Sequence, residues 1–485
     1  MIIGSAFAKG LMFLTWVLVG RILGAEKYGE FGIVRNTILM FSSFAGLGLG
    51  MSAVRYIAEY KETDKSKTSR IIGLSLSFGL LIGALVAIIL YFSADWLSLN
   101  SLKNPKLSID LKISALILFF ASINGVQLAI LEGLQSYKRI ATIQLINSLF
   151  SIPIYICFAY YFGVLGSVIA LGLSNLLLCF SSQKLIRRQL KENDITIDFK
   201  GFMSEYKMLL HFSIPAFLGG FIVSPVKWFA DSTIFSQNKG AYSLGLFTAA
   251  FTLHTVFLLF IGMLNSPFTT IMSSNVNNPK DIRFQKFNLL GQWHIGILII
   301  LPFIAFPEIG ELLFGKEYIG QEFRWTFLFV LLFTLLIFFK QGFVRLLVVH
   351  ELQWQAFMWN ITWVIVFLIS FIYFRNFGSI GLAMNYSIAH IFSLFFILRI
   401  LKKRNLLDYK QFFTKNTIII WLIIFILFGL NYETINVFYR IPFLMIAYLF
   451  IIILIYKDFN LSINIIDLFN KKGQIIYQMK KTFNQ

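Results

Sequence analysis

The segment GAEKYGEF, residues 24–31, joins the first two apolar stretches of the chain, and its pattern returns about 216 residues later. Gly24-x4-Gly29-x-Phe31 recurs as Gly240-x4-Gly245-x-Phe247, again between two apolar stretches. A second motif, FGVLG at 162–166, recurs as FGSIG at 377–381, in the same order and at nearly the same offset. Two ordered matches indicate an internal duplication, with glycines that serve only close helix packing as the alternative.

The composition is that of a membrane protein. Of the 485 residues, 58% are hydrophobic and 13% are charged, and the mean hydropathy is +0.76. Soluble domains carry about 25% charged residues. Charge-free runs occupy residues 113–121, 417–430 and 442–456, and a helix that crosses a bilayer needs about 20 mostly apolar residues. We therefore predict an all-α polytopic membrane protein and exclude a soluble globular domain.

The apolar stretches predict about fourteen transmembrane helices. The predicted spans are 2–19, 31–53, 71–92, 112–131, 141–162, 164–183, 208–226, 244–266, 288–306, 324–340, 354–374, 381–399, 417–430 and 441–456. The first span begins near Met1 and has no small-residue cleavage site after it, so we interpret it as a spanning helix rather than a signal peptide.

Basic residues are concentrated in alternate loops. The loops at 55–70, 138–139, 184–207, 280–286 and 399–415 and the tail at 457–485 are rich in Lys and Arg, and the opposite loops hold far fewer. The positive-inside rule then predicts that both termini are cytoplasmic. This distribution also explains the net charge of +19 without nucleic acid. The tail is expected to touch anionic lipid.

The duplication predicts two pseudo-symmetric six-helix lobes around a central cavity. Because the offset covers six spans, both copies have the same orientation and are related by an axis along the membrane normal. We predict an N-terminal lobe at 1–190, a cytoplasmic linker at 191–207, a C-terminal lobe at 208–404, an extra helix pair at 405–456 and a basic cytoplasmic tail at 457–485.

Few ionisable residues fall inside the predicted spans, and those that do gather on the repeat-related spans 1, 2, 7 and 8. Such residues usually face a cavity or a partner. They are Lys9, Arg35, Lys227, Asp231 and His254. Together they predict a cationic cavity that attracts an anionic headgroup such as a diphosphate. The alternatives are that the first two snorkel to an interface, that Lys227 and Asp231 only pair on one helix face, and that His254 has a packing role.

No catalytic or cofactor motif is recognisable. The chain has no Walker motif, no G-x-S-x-G and no H-E-x-x-H. Its two cysteines, Cys157 and Cys179, lie in apolar segments and are interpreted as buried hydrophobes. No Cys/His cluster has the spacing of a metal site. We therefore expect a protein that is not an enzyme and has no cofactor and no metal.

Several of these stretches resemble one family. Residues 20–31 resemble the first-loop signature of the polysaccharide-transport branch of the MATE-like exporter superfamily, and residues 46–60 resemble its second-span ending. Asp231 followed by residues 240–250, and ELLFGKEY at 311–318, resemble features of its second half. The resemblance implies a fold of two six-helix lobes in a V, with spans 1, 2, 7 and 8 lining the cavity and spans 13 and 14 available as a groove for a lipid tail.

The resemblance also implies an activity, that of a Wzx-type O-antigen or capsule flippase. Such a protein turns an undecaprenyl-diphosphate-linked oligosaccharide across the bacterial plasma membrane, here by alternating access. The expected partners are this substrate, anionic membrane lipids and polysaccharide polymerase or chain-length assembly proteins, with no nucleic acid. The alternatives are a MATE-type multidrug exporter and a lipid-linked peptidoglycan precursor flippase. A membrane-embedded glycosyltransferase is disfavoured because its acidic catalytic site is missing.

Overall fold

Helices account for nearly all of the chain that the computed structural model describes, which comprises residues 2–46, 49–199, 201–206, 221–265, 268–269, 282–407, 412–431 and 437–459. Within these ranges every regular element is helical. The prediction of an all-α polytopic membrane fold is thereby confirmed.

In the described part of its first half, the chain forms five α-helices. They are α1 (Ile2–Gly46), α2 (Leu49–Tyr60), α3 (Lys65–Trp96), α4 (Leu107–Gly133) and α5 (Tyr137–Glu192). Helix α1 packs against α5, α4 and α3, and α5 also packs against α4. The short helix α2 presents a buried face, with Ala53 and Ile57 one turn apart, to α3 and α4. Of the predicted span at 31–53, residues up to Gly46 belong to α1 and residues from Leu49 belong to α2, and residues 47–48 lie outside the described residues.

The second half forms nine helices in the described ranges. They are α6 (Val223–Phe235), α7 (Gly240–Gly262), α8 (Ile282–Ala305), α9 (Glu308–Phe314), α10 (Gln321–Val349), α11 (Gln353–Phe374), α12 (Gly378–Lys403), α13 (Lys415–Gly429) and α14 (Val437–Phe459). Helix α10 lies at the centre of this half and packs against α7, α8 and α12. It extends nine residues beyond the predicted span 324–340. Most of the predicted basic tail, residues 460–485, lies outside the described residues.

In the described chain, nine helical segments are long and apolar enough to cross a membrane. Two of them, 137–192 and 353–403, each contain two predicted spans, and a third, 6–44, overlaps the first two predicted spans. Helix α13, with 15 residues, corresponds to the thirteenth predicted span. Helix α6 overlaps the end of the seventh predicted span, 208–226, and the start of that span lies outside the described residues. Six of the predicted spans are thus joined in pairs within longer helical segments that bend between them.

The bends repeat the internal duplication. Gly163 interrupts α5 at φ 59° and ψ −130°, and Gly378 separates α11 from α12 at φ 56° and ψ −133°. This left-handed conformation strains residues with a side chain. Three residues later, a Cβ on Gly166 or Gly381 would stand 2.0 Å from the carbonyl oxygen of Phe158 or Phe374. The two copies of the FGxxG motif therefore form the same turn in both halves.

The two halves meet where α1 crosses α7, at the two copies of the opening motif. A Cβ on Gly29 would stand 1.9 Å from the carbonyl oxygen of Ala241, and a Cβ on Gly245 would stand 1.8 Å from that of Ala25. The contact is reciprocal, as expected for two copies related by a pseudo-twofold axis. Because the backbones touch here, both positions require glycine.

A loop of the second half closes one end of this crossing. The carboxylate of Glu317 accepts a hydrogen bond from the backbone N–H of Ala25, at 2.9 Å, where α1 restarts after Gly24 (φ 73°). Arg21 donates to the carbonyl oxygens of Leu312 and Leu313, and the hydroxyl of Tyr318 donates to Gly20 at 3.1 Å. The two sequence motifs at 20–31 and 311–318 therefore bind each other.

The last helix, α14, is attached to the second half at both ends. Lys286 of α8 forms a 2.6 Å ion pair with Asp458 near the end of α14. At the other end, Arg440 of α14 forms a 2.9 Å ion pair with Glu308 of α9. Buried ion pairs of this kind fix relative position more reliably than they add stability. Helices α8, α9 and α14 are therefore connected as one unit.

We predict that Gly29→Ala destabilises the protein, because its Cβ would overlap the backbone of α7. Overpacking of this kind costs about 1–3 kcal/mol. The measurement is the thermal unfolding midpoint of the purified protein in detergent. Gly125→Ala is the matched control, since a Cβ at this exposed position of α4 meets no atom within 4 Å. If Gly29→Ala unfolded at or above the temperature of the control, the backbone contact would be absent.

We also predict that Glu317→Ala loosens the closed end of the crossing, because the N–H of Ala25 loses its acceptor. Hydrogen–deuterium exchange of the peptide covering residues 20–29 should become faster, and Glu317→Gln, which keeps an oxygen acceptor, should have a smaller effect. Glu62→Ala, at an exposed carboxylate, is the control. Unchanged exchange in Glu317→Ala would show that this carboxylate does not hold the two halves together.

Candidate functional site

A cavity of about 300 Å³ lies between the two halves, beyond the glycine crossing. Helix α1 contributes Arg35 and Asn36, and α6 contributes Lys227 and Asp231. Its apolar wall includes Phe247 and Phe251 of α7 and Tyr386 of α12. The structure thus brings three of the five predicted site residues together, at the junction of the two halves.

Asp231 connects the two halves at this cavity. Its side chain is buried, and one carboxylate oxygen accepts a 2.9 Å hydrogen bond from the Nδ2 of Asn36. The other oxygen, Oδ1, is buried without a hydrogen-bond partner in the described chain. Trp228, three residues earlier, donates from its indole to Thr37 at 2.8 Å. Two polar contacts therefore join α6 to α1 across the apolar interface.

The cations of this cavity contact aromatic rings. The Arg35 guanidinium carbon is 4.9 Å from the ring centroid of Trp16. The Lys227 ammonium is 5.5 Å from the ring of Tyr386 and 5.9 Å from that of Trp363. Such cation–π contacts are worth about 2 kcal/mol when they are desolvated. These contacts hold the two positive charges at the cavity wall without neutralising them, so both can bind an anion.

A second cavity, of about 370 Å³, lies inside the second half and shares Lys227 with the first. His254 of α7 reaches this cavity, and its Nδ1 is hydrogen-bonded to Thr334 at 2.8 Å. The ring also packs against Phe251 and Phe333. His254 therefore has the packing environment that was the alternative prediction and lines a cavity as well.

The second cavity contains residues that the sequence did not single out. They are Lys340 of α10, Trp359, Asn360 and Trp363 of α11, and His390 of α12. Lys340 stands at the last position of the predicted span 324–340 and so resembled a residue at a helix end. Because α10 continues to Val349, it lies inside the helix. His390 falls within the predicted span 381–399, where its isolation among apolar residues was the available signal.

Lys9 lines neither of these two cavities. It is half-buried on α1, seven residues before Trp16, so the two side chains lie on the same face of the helix, two turns apart. The five predicted residues therefore divide into three at the central cavity, one at the inner cavity and one toward the start of α1. Among the described residues, no group of three His, Cys, Asp or Glu side chains could hold a metal ion.

Comparison with known proteins gives a sequence relative and solved structures of similar fold. A "Putative O-antigen transporter" of Shigella flexneri is 23% identical over 316 residues, which cover 63% of this chain and 72% of that protein. The inward closed structure of the lipid II flippase MurJ superposes on this chain at 17% identity and a TM-score of 0.71. The match covers 94% of this chain and 98% of the MurJ chain.

A second similar structure is the inward-facing conformation of a multidrug resistance MATE family transporter of the MOP superfamily. The match covers 82% of this chain and 96% of the transporter chain, at 18% identity and a TM-score of 0.67. At these identities the likeness concerns the fold. The model of the family described as "Polysaccharide biosynthesis protein" matches residues 1–271, which is more than half of the chain. The chain is therefore a member of the polysaccharide biosynthesis protein family, with the fold of the MATE and MurJ membrane transporters.

Proposed function

We propose that this protein is a flippase that translocates an undecaprenyl-diphosphate-linked oligosaccharide across the bacterial plasma membrane by alternating access. The observation that carries the proposal is the placement of Arg35, Lys227 and Asp231 at one cavity between two repeat-related halves. A polar, charged headgroup that crosses a bilayer needs such a site, because moving it through lipid alone leaves its charges uncompensated.

The residues of the central cavity have distinct roles in this proposal. Arg35 and Lys227 bind the diphosphate, one from each half, so that the headgroup itself draws the halves together. Asp231 keeps Asn36 in place and reduces the net charge of the empty site. His254 borders the path of the sugars. Lys9 lies on the Trp16 face of α1, nearer the chain start, and attracts the headgroup before it reaches Arg35.

Alternating access requires that the closed end opens when the other end closes. The hydrogen bonds between residues 20–31 and 311–318 are short and involve backbone groups at the first turn of a restarted helix. The rings of Tyr28 and Phe314 also pack here, with centroids 6.2 Å apart, so opening of this end separates an aromatic contact as well as the hydrogen bonds. We place this end on the side of the membrane opposite the basic loops, with both termini cytoplasmic.

The absence of large loops and of a catalytic motif supports a transporter rather than an enzyme. A multidrug exporter for cationic compounds would need an acidic or neutral cavity, and the two cations of the central cavity oppose that use. A lipid-linked peptidoglycan precursor carries the same diphosphate. The fold likeness to MurJ over nearly the whole chain favours it as the second candidate.

We predict that the double variant Arg35→Ala/Lys227→Ala loses transport. In a bacterial host that lacks its own flippase, surface polysaccharide should fall by at least about tenfold, because two charge-assisted contacts to the diphosphate are removed. The charge-retaining variant Arg35→Lys/Lys227→Arg should keep more activity, and Lys184→Ala, at an exposed lysine of α5, should keep all of it. Lys9→Ala should show a smaller loss than the double variant.

Protein amounts in the membrane are measured alongside, so that a loss of transport is separated from a loss of folding. Full complementation by a stably produced double variant would refute the role of the cationic cavity. Drug-susceptibility assays and rescue of a strain depleted of its peptidoglycan precursor flippase, run on the unmodified protein, separate the two other functions.

A further inference from the structure

Lys340 is a buried cation without a carboxylate partner. Its side chain is 6% exposed, and its ammonium donates to the Nδ1 of His390 at 2.9 Å and to the Oγ of Ser393 at 3.0 Å. It also lies 4.8 Å from the ring centroid of Trp359. When Lys340 is protonated, its ammonium can only donate, so Nδ1 of His390 is then the acceptor. In the part of the chain described, Lys340 forms no ion pair.

This charge is not compensated by the rest of its cavity. Among the described residues that line the cavity are Lys227, Lys340, His254 and His390, and none of them is Asp or Glu. A buried charge is normally paired, and in a transmembrane helix an ionisable residue commonly marks a substrate path. A cavity with cations on its wall and no internal counter-charge is suited to an anionic group of a ligand.

The walls of the same cavity are suited to a sugar ring. Trp359 and Trp363 both line it, and they are 7% and 5% exposed. The indole N–H of Trp363 is buried without an acceptor in the described chain, although buried indoles usually find one. At about 370 Å³ the cavity is within the size range of small-ligand sites.

The position of the cavity separates it from the diphosphate site. Lys227 lines both cavities, whereas Arg35 lines only the central one. In a lipid-diphosphate oligosaccharide, the first sugar is bonded directly to the phosphate, so the sugars must occupy space beside the diphosphate. The inner cavity offers such a space in the second half.

We propose that the inner cavity is a glycan subsite that selects a sugar carrying a carboxylate, with Lys340 binding the carboxylate and Trp359 and Trp363 contacting the ring. This rests on the proposed function and names the substrate class within it. The anionic group could belong either to such a sugar or to the diphosphate, and the experiment below distinguishes the two sources.

The test uses the full chain in proteoliposomes with two synthetic polyprenyl-diphosphate-linked oligosaccharides that differ only at one sugar. One carries a hexuronate, and the other carries the same sugar with its carboxylate reduced to a hydroxymethyl group. Lys340→Gln should slow translocation of the acidic substrate by about tenfold, because one charge-assisted contact is lost, and leave the neutral substrate unchanged. Lys340→Arg should retain most of the activity on the acidic substrate, and Lys184→Gln should behave as the unmodified protein.

Each outcome has one meaning. An equal loss on both substrates assigns Lys340 to the diphosphate and overturns the acidic-sugar subsite while leaving the proposed function intact. If Lys340→Gln slows translocation of neither substrate, the subsite proposal is also overturned. If the unmodified protein moves neither substrate, the proposed function fails and the subsite with it.

A second measurement does not depend on transport. Free glucuronate should change the tryptophan fluorescence of the unmodified protein in a saturable manner, glucose should not, and Lys340→Gln should abolish the change. A variant that is monodisperse and keeps its unfolding midpoint but still responds to glucuronate would also overturn the proposal.

Discussion

The contact between the backbones of α1 and α7, at Gly29 and Gly245, determines how the two halves can be arranged. At this point each glycine lies against the carbonyl of the alanine four residues before the other glycine. No side chain separates the helices, so their relative position is fixed by the backbone itself. Lipid chains are as apolar as the side chains that they contact, so the hydrophobic effect does not drive helices together within the bilayer. Close packing of this kind holds the helices together instead.

The cavity follows from this crossing. Residues 25, 29, 32 and 36 share one face of α1 at helical spacing. The first three are Ala, Gly and Gly and approach α7 closely, and the fourth, Asn36, reaches Asp231 on α6. The face that brings the halves together at one end therefore directs polar groups into the space where they diverge. The polar contacts of Glu317 and Arg21 close the crossing at its other end.

The sequence predicted the helical class and the duplication because both rest on local patterns, hydropathy and glycine spacing. It could not predict that the two copies differ in the residue with a positive φ. This residue is Gly24 in the first half, whereas in the second half it is Lys239, which precedes Gly240. It placed Arg35, Lys227 and Asp231 on repeat-related helices, and the structure brings them to one cavity. The sequence did not point to Asn36, because its role depends on Asp231, a partner distant in sequence. It did not point to Lys340, because α10 ends nine residues later than predicted.

The most direct test is a structure of the protein in a lipid nanodisc with a polyprenyl-diphosphate-linked oligosaccharide bound. We expect the diphosphate between Arg35 and Lys227, within about 4 Å of both charged groups, with the sugars beside Lys227 in the second half and the lipid chain in the bilayer. A diphosphate bound away from both residues, or held wholly within one half, would contradict a cationic site shared by the two repeat copies.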